Sequence, residues 1–401
     1  MEKLSKFIYF PSFSAGAFGN NLEKDFRFKN GMGCRFYTDE YEDQYRHNQI
    51  LITAGVHFKK DDYRTRIGLT DENLVMGDSG GYQIASGNMK WKPEHKETIF
   101  KWLENNTDIA MNLDIPPRLK YAGMFDECLD MSAENFKYFA DNQSGKTKFL
   151  NIIQGTEEIS YKKWYDKIKD FEFNGWSVGG VGSSLYRFMA ALSVLLDGKE
   201  HLKMNNEYLH ILGTSRIRDF LMTVQLQKSL EEIGSNMTVT TDSSSPDRAV
   251  VFGTFYTNFS INKARFESIN FPNVQNHGDI VKEFLELKNQ SWPYCTNFDN
   301  VLKEFITWQD LVDWNVDCTV GIRLHNFYLF KDAINQIVDY VYGHNYILEQ
   351  IVDRDLYKVM TSIDEMVKSD DPKRVFEKYK PLYLKLSSSK KDDIQTESKF
   401  W

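Results

Sequence analysis

Eight short, mostly apolar runs divide the first two thirds of this chain, and nearly every gap between them carries a helical pattern. The runs cover 7–10, 50–56, 73–77, 108–113, 148–153, 176–179, 208–212 and 237–241. In the gaps, Ile99, Trp102 and Leu103, then Phe136 and Phe139, then Ile159, Trp164 and Ile168 recur near helical spacing, as do the stretches 188–196 and 217–233. Strands that are apolar throughout need cover on both faces, which a parallel sheet wrapped by helices provides. Eight such units predict an α/β fold, a (β/α)8 TIM barrel, over a doubly wound sheet. In that architecture functional groups gather at the carboxyl ends of the strands, so the residues that follow each run matter most.

The third run delivers Asp78-Ser79-Gly80-Gly81-Tyr82-Gln83. A carboxylate, two glycines that let backbone approach a ligand, an aromatic face and an amide suit a planar polar ring. Run four ends in Asp114 within Met111-Asn-Leu-Asp-Ile-Pro-Pro117, and run five in Gln154. Run six leads into Gly179-Gly180-Val181-Gly182, run seven carries His210, and run eight gives Asp242 ahead of Ser-Ser-Ser-Pro-Asp-Arg248. Singly, Asp114 and Asp242 read equally well as caps and Gln154 as a loop tie. Together they place three carboxylates, an amide and bare glycine backbone at one mouth. Two carboxylates, one a nucleophile and one a proton carrier, are the pair that breaks glycosidic bonds through a covalent ester. The remaining groups suit the donor and acceptor edge of a guanine-like base. No Walker loop or dinucleotide fingerprint follows any run, which argues against phosphoryl transfer.

With 401 residues, 41% apolar and 14% aromatic, the chain can bury a large core. Its net charge of -8 argues weakly against a nucleic-acid coat yet permits a local basic groove. Cys34, Cys128, Cys295 and Cys318 are too dispersed for a disulfide framework, and no signal core or membrane-length apolar run occurs. These features lead us to expect a soluble, cytoplasmic protein with a mobile tail over 387–401.

The motifs at the run ends resemble those of the tRNA-guanine (queuine) transglycosylases, in order along the chain. They are Asp78-Ser-Gly-Gly-Tyr-Gln83, Asn151-Ile-Ile-Gln-Gly155, Gly175-Trp-Ser-Val-Gly-Gly180, Tyr208-Leu-His-Ile-Leu-Gly213 and Asp242-Ser-Ser-Ser-Pro-Asp-Arg248. Ile261-Asn-Lys-Ala-Arg-Phe266 and His325-Asn326 extend the resemblance to about residue 342. It implies an enzyme that exchanges a guanine in nucleic acid for a 7-deazaguanine supplied as the free base. Asp242 would attack the sugar and Asp78 handle protons. Tyr82 would stack on the base, Asp114, Gln154, Gly179 and Gly180 would bind its edges, and His210, where the family tends to have methionine, would lie on its other face. Arg248 would contact the nucleic acid beside the target.

The family's structural zinc motif is degraded: Ser291-Trp-Pro-Tyr-Cys295 keeps one cysteine, leaving Cys295, Cys318 and His325 as weak ligand candidates, and no cofactor is expected. That loss is similar to the phage and bacterial branch that acts on DNA. A tRNA enzyme and a non-catalytic nucleic-acid-binding subunit remain the alternatives. The expected layout is a barrel over 1–345 with a β-rich insertion at 249–315, then a helical extension over 346–386. Segments 59–66, 90–92 and 216–218 combine cations with aromatic or apolar residues and are candidate phosphate contacts, although solvated faces explain each as well.

Overall fold

The computed structural model describes residues 5–13, 16–181, 184–270, 310 and 315–387. Eight parallel strands form a nearly closed barrel: β1 (Ile8–Pro11), β2 (Gln49–Thr53), β3 (Leu74–Asp78), β4 (Ile109–Met111), β5 (Lys148–Ile153), β6 (Gly175–Val178), β7 (Tyr208–Ile211) and β8 (Thr238–Ser243). From β2 to β8 each strand pairs with its sequence neighbour, and β1 pairs with β8, so the sheet is continuous from β2 round to β1. Among the described residues the seam between β1 and β2 carries one bridge, Ser12 with Leu51.

Helices α1 (Gly16–Glu23), α2 (Ala54–His57), α3 (Tyr63–Arg66), α4 (Gly81–Ser86), α5 (His95–Asn106), α6 (Phe125–Asn142), α7 (Glu158–Ile168), α8 (Leu185–Asp197), α9 (Ile217–Glu232) and α10 (Ser245–Val251) separate and follow the strands. The expected β-rich insertion begins with an antiparallel pair, β9 (Thr254–Ser260) and β10 (Arg265–Asn270). Helices Val316–Gly343, Asn345–Ile351, Arg354–Lys368 and Pro372–Ser387 follow. Arg354–Lys368 packs on α9 and Pro372–Ser387 on α8, and Met360, Ile363, Phe376 and Tyr383 join the same apolar core as the barrel residues. Ser387, the first residue of the expected tail, still belongs to the last helix and accepts the Tyr186 N–H at 2.9 Å; the rest of that tail lies outside the described residues. No helix among the described residues is long and apolar enough to cross a membrane.

Strand direction decides which side chains reach the site. A β-carbon on Gly77 would lie 2.6 Å from Leu103 Cδ2 of α5, so Gly77 faces the helices, and Met76 and Asp78 face the barrel axis. The register aligns Ile152, Ser177, His210, Thr240 and Ile8 in one row across β5, β6, β7, β8 and β1. That row lies beneath the mouth.

Three expectations change. Run 50–56 ends as a strand at Thr53, and 54–57 turns into α2, because Gly55 must meet Gly80: a β-carbon there would stand 2.7 Å from Gly80 Cα. Run 108–113 keeps only 109–111 as strand, since Asn112 O accepts from Ser79 Oγ at 2.9 Å and Leu113 O from Asn135 Nδ2 at 3.1 Å. Ile159, expected on the apolar face of α7, is 80% exposed; the buried stripe is Tyr161, Trp164, Tyr165 and Ile168, which follows the i, i+3, i+4, i+7 period.

Gly175 opens β6 at φ +144°, where an added β-carbon would stand 2.0 Å from Tyr208 O. Because that obstacle is backbone of the neighbouring strand, Gly175→Ala should destabilise the fold by about 3 kcal/mol, read as a lower urea midpoint with unchanged slope.

Candidate active site

At the end of β3 the Asp78 carboxylate accepts from Thr53 Oγ1 at 2.8 Å and from Gly80 N–H at 3.1 Å. Gly80 adopts φ +92°, and its Cα faces Gly55, so the turn into α4 is compressed to backbone thickness. Burial raises the Asp78 pKa from its ordinary value; the two hydrogen bonds oppose that, and the nearby Asp242 charge adds to it.

Asp114 and Gln154, 40 residues apart, form a buried pair: Gln154 Nε2 donates to Asp114 Oδ2 at 2.7 Å. Burial pushes the Asp114 pKa from 3.8 up to about 6, against the Gln154 bond and the Arg118 charge, which lower it. Glycine backbone seals the pair on two sides. A β-carbon on Gly81 would lie 2.5 Å from Asp114 Oδ1, and one on Gly179 would lie 2.2 Å from Gln154 Nε2. Gly180, at φ +72°, turns the chain away after that contact.

Asp242 projects from β8 with 13% of its side chain exposed. Gly213 N–H donates to Oδ1 at 2.7 Å, and His210 Nε2 lies 3.3 Å from the same oxygen. His210 is fully buried, and its Nδ1 lies 2.8 Å from Thr240 Oγ1. The ring therefore lies against the Asp242 carboxylate and has no exposed surface.

Tyr82, on α4, is partly exposed. The Arg118 guanidinium carbon lies 6.0 Å from its ring centroid, and the Arg118 and Arg248 charges both act on its phenol. Arg187 Nη1 donates to Gly180 O at 3.4 Å. Arg118 and Arg187 are site residues that the sequence does not flag, because each is one arginine in a loop or first helical turn. The clue available was position alone: Arg118 follows Pro116 and Pro117 after β4, and Arg187 follows the glycine run after β6.

Other candidates are engaged as follows. Arg64 donates to Asp108 Oδ1 at 2.9 Å and to the Asn73 and Thr70 carbonyls, at the amino ends of β3 and β4, away from the mouth. Arg216 and Arg218 flank Asp219 at 3.6 and 3.5 Å. Lys92 lies 3.5 Å from Glu94, and Trp91 packs against the core. Cys318 is buried, and burial drives its thiol pKa strongly up. His325 Nε2 lies 2.9 Å from Tyr256 O while the ring stacks on Phe255 at 4.1 Å. Cys295 lies outside the described residues. Among the described residues no three His, Cys, Asp or Glu side chains form a group that could hold a metal ion.

The mouth thus joins a carboxyl with raised proton affinity, a second carboxylate fixed by a backbone amide, and a sealed acid and amide pair beside an aromatic face. Such a set can transfer a proton, attack an electrophilic carbon and read a polar ring edge. Neither a scan against protein-family models nor a search of curated proteins finds a match to this chain.

Asp114 also makes stability depend on pH. Its pKa is raised on folding, so the native state holds the proton more tightly than the unfolded chain, and stability declines as pH rises from about 4 through about 6. The shift corresponds to about 3 kcal/mol, and Asp78 acts in the same sense. Denaturant titrations at several pH values should show Asp114→Asn with a flatter profile across that window.

Proposed function

We propose that the chain is a base-exchange transglycosylase, a pentosyltransferase that replaces guanine in DNA with a 7-deazaguanine of the cyano-deazaguanine type. The observation that carries this reading is the unequal provision for three carboxylates at one mouth. Asp78 and Asp114 are buried with raised proton affinity, whereas Asp242 is oriented by the Gly213 amide and partly open. A glycosyl transfer that proceeds through an enzyme ester uses that division of labour.

In the proposed reaction an Asp242 oxygen attacks the anomeric carbon, the glycosidic C–N bond breaks, and its electron pair leaves with guanine. Asp78 supplies the proton that the departing base takes up. The incoming base gives a proton back to Asp78, its ring nitrogen attacks the same carbon, and the ester C–O bond breaks to restore the carboxylate. Tyr82 carries the base on its face, and Asp114, Gln154 and the Gly179-Gly180 backbone hold its edge. Buried acceptors of this kind penalise analogues that lack the matching donors. Arg248, whose charge acts on the Tyr82 ring from α10, suits a phosphate beside the target. The degraded cysteine motif at Cys295 favours DNA over tRNA.

Incubation with a DNA or a tRNA substrate and a labelled 7-deazaguanine, followed by a denaturing gel, tests both polymer and mechanism. Label should enter DNA, and a covalent protein–DNA band should form. Asp242→Asn should lower its rate of formation by about 10⁴-fold or more, while Asp114→Asn should weaken base binding more than sugar attack. Label in tRNA alone would move the activity to tRNA. Exchange that survives Asp242→Ala would remove that residue from the chemistry.

A further inference from the structure

Leu119 combines properties that an ordinary surface residue does not. It is bulky and apolar with 52% of its surface exposed, and its φ is +54°, in the left-handed region that a β-carbon disfavours. It follows Arg118, the residue whose guanidinium meets the face of Tyr82. The conformation is held by successive turns: Arg118 N–H to Pro116 O at 2.8 Å, and Tyr121 to Arg118 O, Ala122 to Leu119 O and Met124 to Tyr121 O, each at 3.0 Å. A backbone outlier maintained by consecutive hydrogen bonds presents its side chain deliberately; slack loops relax instead. The turn packs on α4, the helix that carries Tyr82, so it stands on the rim of the mouth. Lys120 follows on the other side, its ammonium 4.9 Å from the Tyr121 ring, and Met124 adds a second apolar group, 39% exposed.

We infer that the turn formed by residues 118–121 is a wedge for a DNA duplex. Leu119 enters the gap in the base stack that a nucleotide leaves when it turns outward onto Tyr82, while Arg118 and Lys120 meet the backbone phosphates on either side. The inference rests on the base-exchange reading, because attack at an anomeric carbon requires the base to be out of the duplex. An apolar tip between two cations complements a stack of bases flanked by phosphates, and apolar wedges of this kind stabilise unstacked steps. No other element of the mouth shows an exposed aliphatic side chain on a left-handed backbone among the described residues.

Leu119→Gly tests this directly, because it removes the wedge and relieves the left-handed strain, so the variant should melt at the same or a higher temperature. Wild type and variant are compared on one target guanine placed in a duplex and in a single strand. In parallel, 2-aminopurine beside the target in the duplex reports unstacking without turnover. Exchange on the duplex should fall about tenfold or more, exchange on the single strand by no more than about twofold, and the fluorescence rise should be lost. Equal losses on both substrates, or a fluorescence rise that persists in the variant, would overturn the wedge. If wild type exchanges guanine in neither substrate yet the rise depends on Leu119, the base-exchange reading falls and the wedge stands. A Leu119 effect seen with an RNA hairpin and absent from the DNA duplex would overturn the assignment to DNA.

Discussion

A carboxylate taken out of water has to be supplied with donors or it holds its proton, and the mouth of this barrel is organised around how few donors each acid receives. Asp78 has a threonine hydroxyl and one backbone amide. Asp114 has the Gln154 amide and the more distant charge of Arg118. Asp242 has the Gly213 amide, with an imidazole nitrogen just beyond good hydrogen-bond distance. Full pairing with arginine would hold Asp78 and Asp114 as anions. Sparse pairing leaves Asp78 and Asp114 with raised proton affinity, and the proposed reaction draws on that of Asp78.

Such economy is possible because glycines remove volume where side chains would otherwise intrude. Gly55 and Gly80 meet at their α-carbons behind Asp78, Gly81 backs Asp114, and Gly179 backs Gln154. Each contact replaces a β-carbon by backbone of an adjacent loop, so the polar groups are set by main chain rather than by flexible side chains. Rigid placement of this kind lowers the reorganisation needed when charge develops in a reaction. It also excludes water, which keeps proton affinities raised.

Much of this was legible in the sequence, and the reasons are specific. Runs three, five and eight end close to the ends of their strands, so Asp78, Gln154 and Asp242 could be assigned to the mouth from spacing, whereas runs two and four outlast theirs. Alternation along a strand told less about depth: His210 lies in the same row as Ser177 and Thr240, one layer under the mouth, and its contact with Asp242 depends on register between strands. Register is a property of pairs of segments, and one segment does not reveal it. The Gly213 amide was hidden because any residue except proline offers the same donor. Arg118 and Leu119 sit in a connection without period and Arg187 in the first turn of α8, and only the fold shows that the two arginines reach the site and that Leu119 is held at positive φ. Arg64 failed in the opposite way, since a basic cluster in sequence became a clamp on the amino ends of β3 and β4.

The barrel seam has a consequence for how the chain reaches this state. With one bridge between β1 and β2 among the described residues, the seam is reinforced by a helix that follows the barrel: Phe327 of helix Val316–Gly343 packs on Phe13 at 5.5 Å and Phe36 at 4.7 Å, and Phe330 packs on Tyr9 at 5.6 Å. Lys331 adds hydrogen bonds to the Gln44 and Arg46 carbonyls at 3.0 and 2.9 Å. The first of the eight strands is thus covered by a helix that follows the eighth in the chain, so closing the barrel needs a segment made after all eight strands. Before that helix packs, the β2 edge lacks this cover, and an uncovered strand edge is a template for pairing with other chains.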